Sequence, residues 1–129
     1  MGKRIPHPPK IFHVNWFRKG ADGKFLWPGF GDNVRVLKWI LERVEGRGGT
    51  QETPIGYVPA GNALTLDGLN ISADAVNELL RVDPEDWEQE LVDSKEFFQK
   101  FGDRLPRELR DEHEKLSGRL ESAAGVTRR

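Results

Sequence analysis

Residues 15–33 of the chain read NWFRKGADGKFLWPGFGDN. This stretch, here called the aromatic segment, places five aromatic rings among glycines and charged residues. Residues 11–17 alternate and are rich in β-branched and aromatic side chains, which is typical of a strand. Residues 22–23 are an Asp-Gly turn signal, and residues 24–27 resume the apolar run. The pattern predicts an aromatic-rich β-hairpin.

A helix is predicted directly after the aromatic segment. Asp32 or Asn33 can act as its N-cap, and Gly46 marks its end. Residues 46–53 predict a flexible loop, and residues 53–59 carry too many prolines for more than a short edge strand. The apolar residues of the predicted helix recur at helical spacing: Val34, Leu37, Leu41 and Val44.

Three more helices are predicted in the second half of the chain. Ser72 can cap a short helix, and Asp83, followed by a proline and two acids, is a strong start for a helix over residues 84–101. Pro106 opens a last helix, after which residues 122–129 are expected to be disordered. The predicted fold class is therefore α+β: an aromatic-rich β-hairpin with three to four helices.

Length and charge limit what the chain can do. Its 129 residues suit one domain, and its formal net charge of -1 gives no general reason to bind DNA, RNA or an anionic membrane. The absence of cysteine excludes a thiolate metal site and a cysteine nucleophile, and fits a cytoplasmic location. Residues 1–10 are proline-rich and predict a linker or a truncated end, so the folded part is expected to span residues 11–121.

The aromatic rings allow two interpretations. Most aromatic side chains of a hairpin fill a core, but rings at Phe17, Phe25 and Phe30 could also converge on a flat ligand such as a nucleobase. Asn33 could read the edge of a base, because its amide offers a donor and an acceptor, or it could cap the helix. Gly31 would let the backbone approach the ring. The tryptophans assigned to the core are Trp16, Trp27 and Trp39.

Several long motifs in order resemble one family. PKIFHVNWFRKGADGKFLWPGFGDN at residues 9–33, then RVLKWILERV, TPIGYVP and DPEDWEQEL, resemble the C-terminal part of GTP-dependent phosphoenolpyruvate carboxykinase. The resemblance covers nearly the whole chain. It implies a C-terminal fragment of a larger α/β enzyme that converts oxaloacetate and GTP to phosphoenolpyruvate, carbon dioxide and GDP with manganese or magnesium, as an entry step of gluconeogenesis.

The resemblance also implies roles for individual residues. It places the phenylalanines that hold the guanine of GTP at Phe17, Phe25 and Phe30. The motif FGDN at residues 30–33 resembles the family's FGEN nucleotide contact, with Asp32 in place of glutamate and Asn33 as the reader of the guanine edge. Gly31 belongs to the same motif, and Trp16 resembles a tryptophan that lines the same pocket.

Length is where the chain departs from the family, whose members run to several hundred residues. The chain has no G-x-x-x-x-G-K-S or -T pattern for phosphates, and its glycine cluster at residues 46–49 has no lysine beside it. His13 and His113 have no metal-ligand spacing. We therefore expect no catalytic and no metal-binding residue here, and an isolated chain without activity.

Two other functions stay open from the sequence. The chain could be a stand-alone aromatic module that stacks single-stranded RNA bases or a peptide, although it has no basic groove to follow phosphates. It could also be an interaction fragment that docks onto another chain, namely one that supplies the missing N-terminal part of the enzyme.

Overall fold

The computed structural model describes residues 5–127, with side chains up to residue 125. They form two compact units. The N-terminal unit consists of the residues up to Gln51 together with Val58–Leu80, and the C-terminal unit of Glu52–Tyr57 together with the residues from Arg81 onward. The aromatic segment therefore lies entirely within the N-terminal unit.

Helices dominate the regular structure of residues 5–127. The described elements are α1 (Asn33–Val44), β1 (Thr50–Thr53), β2 (Gly56–Pro59), α2 (Ala73–Leu80), α3 (Pro84–Gln99) and α4 (Arg107–Thr127). Two short 3₁₀ turns, Phe30–Asp32 and Gly102–Arg104, precede α1 and α4. Helices with one small β-hairpin agree with the predicted α+β class.

The prediction of an aromatic-rich β-hairpin is wrong. Side-chain burial does alternate along residues 11–20, as in an extended chain, but the only pairing described there is a single antiparallel bridge between Lys19 and Phe25. The side chains of Asn15 and Asp22 each accept a hydrogen bond from the backbone N–H two residues later, at 2.9 and 3.0 Å. Both bonds hold local turns, and the segment folds as a loop.

The β-hairpin lies instead at residues 50–59, where the sequence predicted a loop and an edge strand. β1 and β2 pair across a turn at Pro54 and Ile55. The Thr53 hydroxyl donates to the Gly56 carbonyl oxygen at 2.6 Å, and Gly56 has a φ of 127°. Pro54 and Pro59 occupy the turn and the strand end, where a missing N–H costs no ladder hydrogen bond.

The predicted starts of α2 and α3 are confirmed. The Ser72 hydroxyl accepts from the backbone N–H three residues later at 3.1 Å, and the Asp83 carboxylate accepts from the N–H two residues later at 3.0 Å. The α3 helix ends at Gln99, before the predicted Phe101, and Gly102 follows with a φ of 51°. Local capping chemistry thus sets these elements.

The predicted start of α1 is correct, with Asp32 at the N-cap position, but the expected capping contact is absent. Asp32 has a helical backbone and its side chain makes no capping hydrogen bond. Its carboxylate instead accepts from the Arg35 guanidinium Nε at 3.0 Å, one turn into the helix. The preceding 3₁₀ turn leads directly into α1. The backbone is therefore already helical at Asp32, whereas a capping residue normally has an extended backbone.

Both termini differ in part from expectation. The α4 helix runs to Thr127, so the expected fraying after residue 121 does not end the helix there. Disorder of residues 122–129 stays a prediction, and residues 128–129 lie outside the described part of the chain. Residues 5–10 of the predicted linker form neither helix nor strand. Residues 1–4 lie outside the described part of the chain.

Each unit has its own buried residues. In the N-terminal unit Trp27 and Trp39 are each 5% exposed, which confirms their predicted core positions, and Val76 of α2 is buried too. In the C-terminal unit α3 packs against α4, and Leu120 is buried. The Trp39 indole Nε1 donates to the Gly49 carbonyl oxygen at 3.0 Å, which fixes the loop after α1.

We predict that Gly48→Ala destabilises the N-terminal unit by about 1–2 kcal/mol. Gly48 has a φ of 69°, and an added Cβ would lie 3.3 Å from the Arg43 backbone nitrogen and 3.5 Å from the Trp39 indole nitrogen. Urea unfolding measures the change. Gly61→Ala is the control, because its Cβ would meet no atom within 4 Å. Equal losses in both variants would contradict the prediction.

Candidate nucleotide-base site

Three phenylalanine side chains of the aromatic segment face solvent. Phe17 is 71% exposed, Phe25 57% and Phe30 96%. The Phe17 and Phe25 rings meet edge to face, with centroids 5.9 Å apart and an interplanar angle of 62°, and the Lys19 ammonium lies 5.4 Å from the Phe25 centroid. No ring contact of Phe30 is found within residues 5–127. The structure therefore brings two of the three rings together.

The loop that carries Phe17 and Phe25 is closed by backbone hydrogen bonds. Leu26 N–H donates to the Arg18 carbonyl oxygen and Gly20 N–H to the Lys24 carbonyl oxygen, each at 2.9 Å. A Cβ on Gly20 would lie 3.1 Å from the Leu26 side chain, so a larger residue there would require that side chain to shift. Leu26 is half-buried and Trp27 is buried, whereas Phe25 is exposed.

The Arg18 side chain fixes this loop to α2. Its guanidinium lies 3.3 Å from a Glu78 carboxylate oxygen and donates to the Leu79 carbonyl oxygen at 3.4 Å. Both partners belong to the N-terminal unit. The loop is thus attached to α2 through Arg18, while its two phenylalanines stay at the surface.

Phe30 combines strain with exposure. It has a φ of 47°, in the left-handed region that bulky residues rarely adopt, and it follows Gly29, whose φ is 78°. Holding a non-glycine residue there costs on the order of 1–2 kcal/mol, and exposing a phenylalanine forgoes the free energy of its burial. No packing contact of the ring offsets either cost within the described residues. Such a combination is typical of a functional position.

Asn33, the first residue of α1, is held by a buried tryptophan. The Trp27 indole Nε1 donates to the Asn33 amide oxygen Oδ1 at 2.9 Å. Gly31 lies open, since an added Cβ would meet no atom within 4 Å, and Asp32 is paired with Arg35. The FGDN motif therefore forms a turn with an exposed ring at one end and a fixed amide at the other.

Sequence reasoning missed two residues that shape this turn. The sequence predicts only a core position for Trp27 and no contact for Arg35. The Arg35 Nη1 donates to the carbonyl oxygens of Thr65 and Asp67 at 2.8 and 3.0 Å, which ties the turn to the loop before α2. These partners are separated by thirty or more residues along the chain, so no local pattern predicts them. Trp16, expected to line the pocket, is half-buried.

Two further features, a cluster of metal ligands and a membrane-spanning helix, are absent from the described part of the chain. Within residues 5–127 no group of three or more His, Cys, Asp or Glu side chains could hold a metal ion. None of the helices described there is both long and apolar enough to cross a membrane.

The aromatic segment thus carries three exposed phenylalanine rings and, at the start of α1, an amide held by a buried tryptophan. The family model "Phosphoenolpyruvate carboxykinase C-terminal P-loop domain" matches residues 1–119. The chain belongs to the GTP-dependent phosphoenolpyruvate carboxykinase family.

Individual relatives show how much of the family's length is present. The chain is 54% identical to phosphoenolpyruvate carboxykinase (GTP) of Anaeromyxobacter sp. (strain K) over 126 residues, which are 98% of this chain and 21% of that protein. It is 54% identical to the protein of the same name from Arthrobacter sp. (strain FB24), covering 92% and 19%, and 51% identical to that of Treponema pallidum (strain Nichols), covering 95% and 20%. The chain therefore spans about a fifth of the length of these relatives.

We predict that Phe30→Gly is more stable than Phe30→Ala by about 1 kcal/mol. Glycine adopts a positive φ without strain, whereas alanine retains the strain of a side chain at positive φ. The two variants remove the same ring, so they differ mainly in backbone freedom. Thermal unfolding of both measures the difference. Equal midpoints would show that Phe30 is not strained in solution.

Proposed function

We propose that the aromatic segment binds the guanine base of GTP, and that the chain supplies this part of a phosphoenolpyruvate carboxykinase. The proposed reaction of the whole enzyme converts oxaloacetate and GTP to phosphoenolpyruvate, carbon dioxide and GDP, and the proposed location is the cytoplasm. The observation that carries the proposal is the exposure of Phe17, Phe25 and Phe30 within one tethered segment.

Stacking would supply most of the affinity. Each aromatic ring that stacks on a base contributes on the order of 1–3 kcal/mol, and it does so without charge. Phe17 and Phe25 meet edge to face, so one of these rings can stack on a base while the other supports it from the side. Phe30 stands apart on its strained turn and could meet the opposite face of a base. Lys19 beside Phe25 adds a positive charge at the rim.

Hydrogen bonds to the base edge would supply the selectivity. A site that pairs with a particular donor or acceptor rejects a base that leaves buried groups unpaired. Asn33 at the start of α1 presents an amide beside the open backbone of Gly31. In this proposal Asn33 reads the edge of guanine, and Trp16 supports the same region.

Phosphate and metal contacts would come from other parts of the family's protein. The sequence has no phosphate-binding loop pattern, and the described residues hold no cluster that fits manganese or magnesium. Phosphoryl transfer depends on such groups to position and stabilise the transferred phosphate. We therefore propose that this chain alone binds the base but does not catalyse the reaction.

We predict guanine-selective binding that does not depend on phosphate. Guanosine should bind about as tightly as GTP and more tightly than adenosine, in a titration followed by tryptophan fluorescence. Phe25→Ala should weaken guanosine binding by about one to two decades, because one stack is lost. Asn33→Ala should instead reduce the preference for guanosine over adenosine.

The matched control is Phe97→Ala, which removes a similarly exposed phenylalanine from the C-terminal unit and should leave binding unchanged. Adenosine binding as tightly as guanosine to the wild-type chain would refute the edge-reading role. Much tighter binding of GTP than of guanosine would reveal a phosphate site elsewhere in the chain. Competition by single-stranded RNA without guanine would favour the module that stacks RNA bases.

An exposed face of α1 supports a second proposal, that the remaining part of the carboxykinase docks on this chain. Four apolar side chains at helical spacing are exposed on α1, opposite buried Trp39. Burying each of them would contribute roughly 1.5–3 kcal/mol. We call them the α1 stripe: Val34, Leu37, Leu41 and Val44.

We predict that Val44→Lys weakens this docking at least tenfold. The binding partner in the assay is the Anaeromyxobacter relative without the region that this chain matches, and affinity is measured by biolayer interferometry. Val92→Lys is the control, because Val92 is similarly exposed but lies on α3. Equal weakening by both substitutions would mean that the α1 stripe is not the docking surface.

A further inference from the structure

The hydrogen bond between Trp27 and Asn33 does more than satisfy a buried donor. An indole nitrogen can only donate, and the oxygen of an amide can only accept. With Trp27 Nε1 at 2.9 Å, Asn33 must therefore turn its oxygen Oδ1 toward the core. The flipped amide would place its NH₂ group against the indole N–H and leave a buried donor without a partner.

This constraint decides what Asn33 can offer a ligand. Once Oδ1 accepts from Trp27, the amide nitrogen Nδ2 is the group that remains for an outside partner, and no acceptor for it is found within residues 5–127. A freely rotating amide would pair with donors and acceptors alike. An amide fixed in this way is a selective donor.

We propose that Trp27 is a positioning residue that sets the base preference of the site by fixing Asn33 as a hydrogen-bond donor. Guanine carries an oxygen acceptor at its six-position, where adenine carries an amino donor. A fixed Nδ2 donor can bond to the guanine oxygen. Against adenine it would face the amino group, so that two donors would oppose each other. The inference rests on the proposed binding of guanine by the aromatic segment.

The surrounding structure holds Trp27 and Asn33 in fixed positions relative to each other. Trp27 is 5% exposed, so its ring has little room to move. The six-residue path to Asn33 passes through the 3₁₀ turn Phe30–Asp32, and Arg35 clamps that turn through Asp32 at 3.0 Å and through the backbone of the loop before α2. Both ends of the hydrogen bond are thus fixed by packing that does not involve a ligand.

The test compares two tryptophans that are equally buried. Trp27→Phe removes the indole N–H next to Asn33, and Trp39→Phe removes an N–H that donates to the Gly49 backbone. We expect Trp27→Phe to reduce the ratio of guanosine to adenosine affinity at least tenfold, and Trp39→Phe to leave it unchanged. Ligand-observed NMR titration measures both affinities without relying on tryptophan emission.

A double variant separates positioning from stability. In an Asn33→Ala background Trp27→Phe should cause no further change in the affinity ratio, because residues that act through one another are not additive. If Trp27→Phe fails to fold, replacing Trp27 by benzothienylalanine removes the N–H and keeps the ring shape. A folded variant that lacks this N–H and retains the wild-type ratio would overturn the inference. No preference for guanosine in the wild type would instead overturn the proposed function on which it rests.

Discussion

The buried indole of Trp27 and its hydrogen bond to Asn33 connect the aromatic segment to α1. A buried polar group left without a partner costs about 1–3 kcal/mol, so the contact between the two residues constrains the whole turn between them. Within that turn the chain passes through Gly29 and Phe30 with positive φ values. Trp27 is held inside and Phe30 is held outside by the same short path.

This arrangement explains why an aromatic-rich segment leaves rings in water. Trp27 and Trp39 occupy the interior of the N-terminal unit, and the loop bonds of Arg18 and Gly20 turn Phe25 away from it. The exposed rings and the α1 stripe have no cover within residues 5–127. Since the chain spans about a fifth of its relatives' length, a ligand and the rest of the protein are the partners that we propose for these two surfaces.

Sequence reasoning succeeded where structure is set locally. The caps Ser72 and Asp83 predicted the starts of α2 and α3, because a cap acts on amides two or three residues away. It failed for the aromatic segment, where alternation predicted a strand of a hairpin but the structure has a loop with one isolated bridge. The family followed from long motifs in order, and the comparison confirmed it. The partnership of Trp27 with Asn33 depends on a folded turn, so no spacing rule predicted it.

In our proposal Trp27 holds Asn33 so that the Asn33 amide nitrogen meets the base. The most direct measurement is a ¹⁵N–¹H NMR titration of the wild-type chain with guanosine, following the four tryptophan indole resonances and the Asn33 side-chain amide. We predict that guanosine shifts the Asn33 Nδ2 resonances and the Trp27 indole resonance, while the Trp39 indole resonance stays in place. Unchanged Asn33 resonances at saturating guanosine, or equal shifts of Trp27 and Trp39, would contradict it.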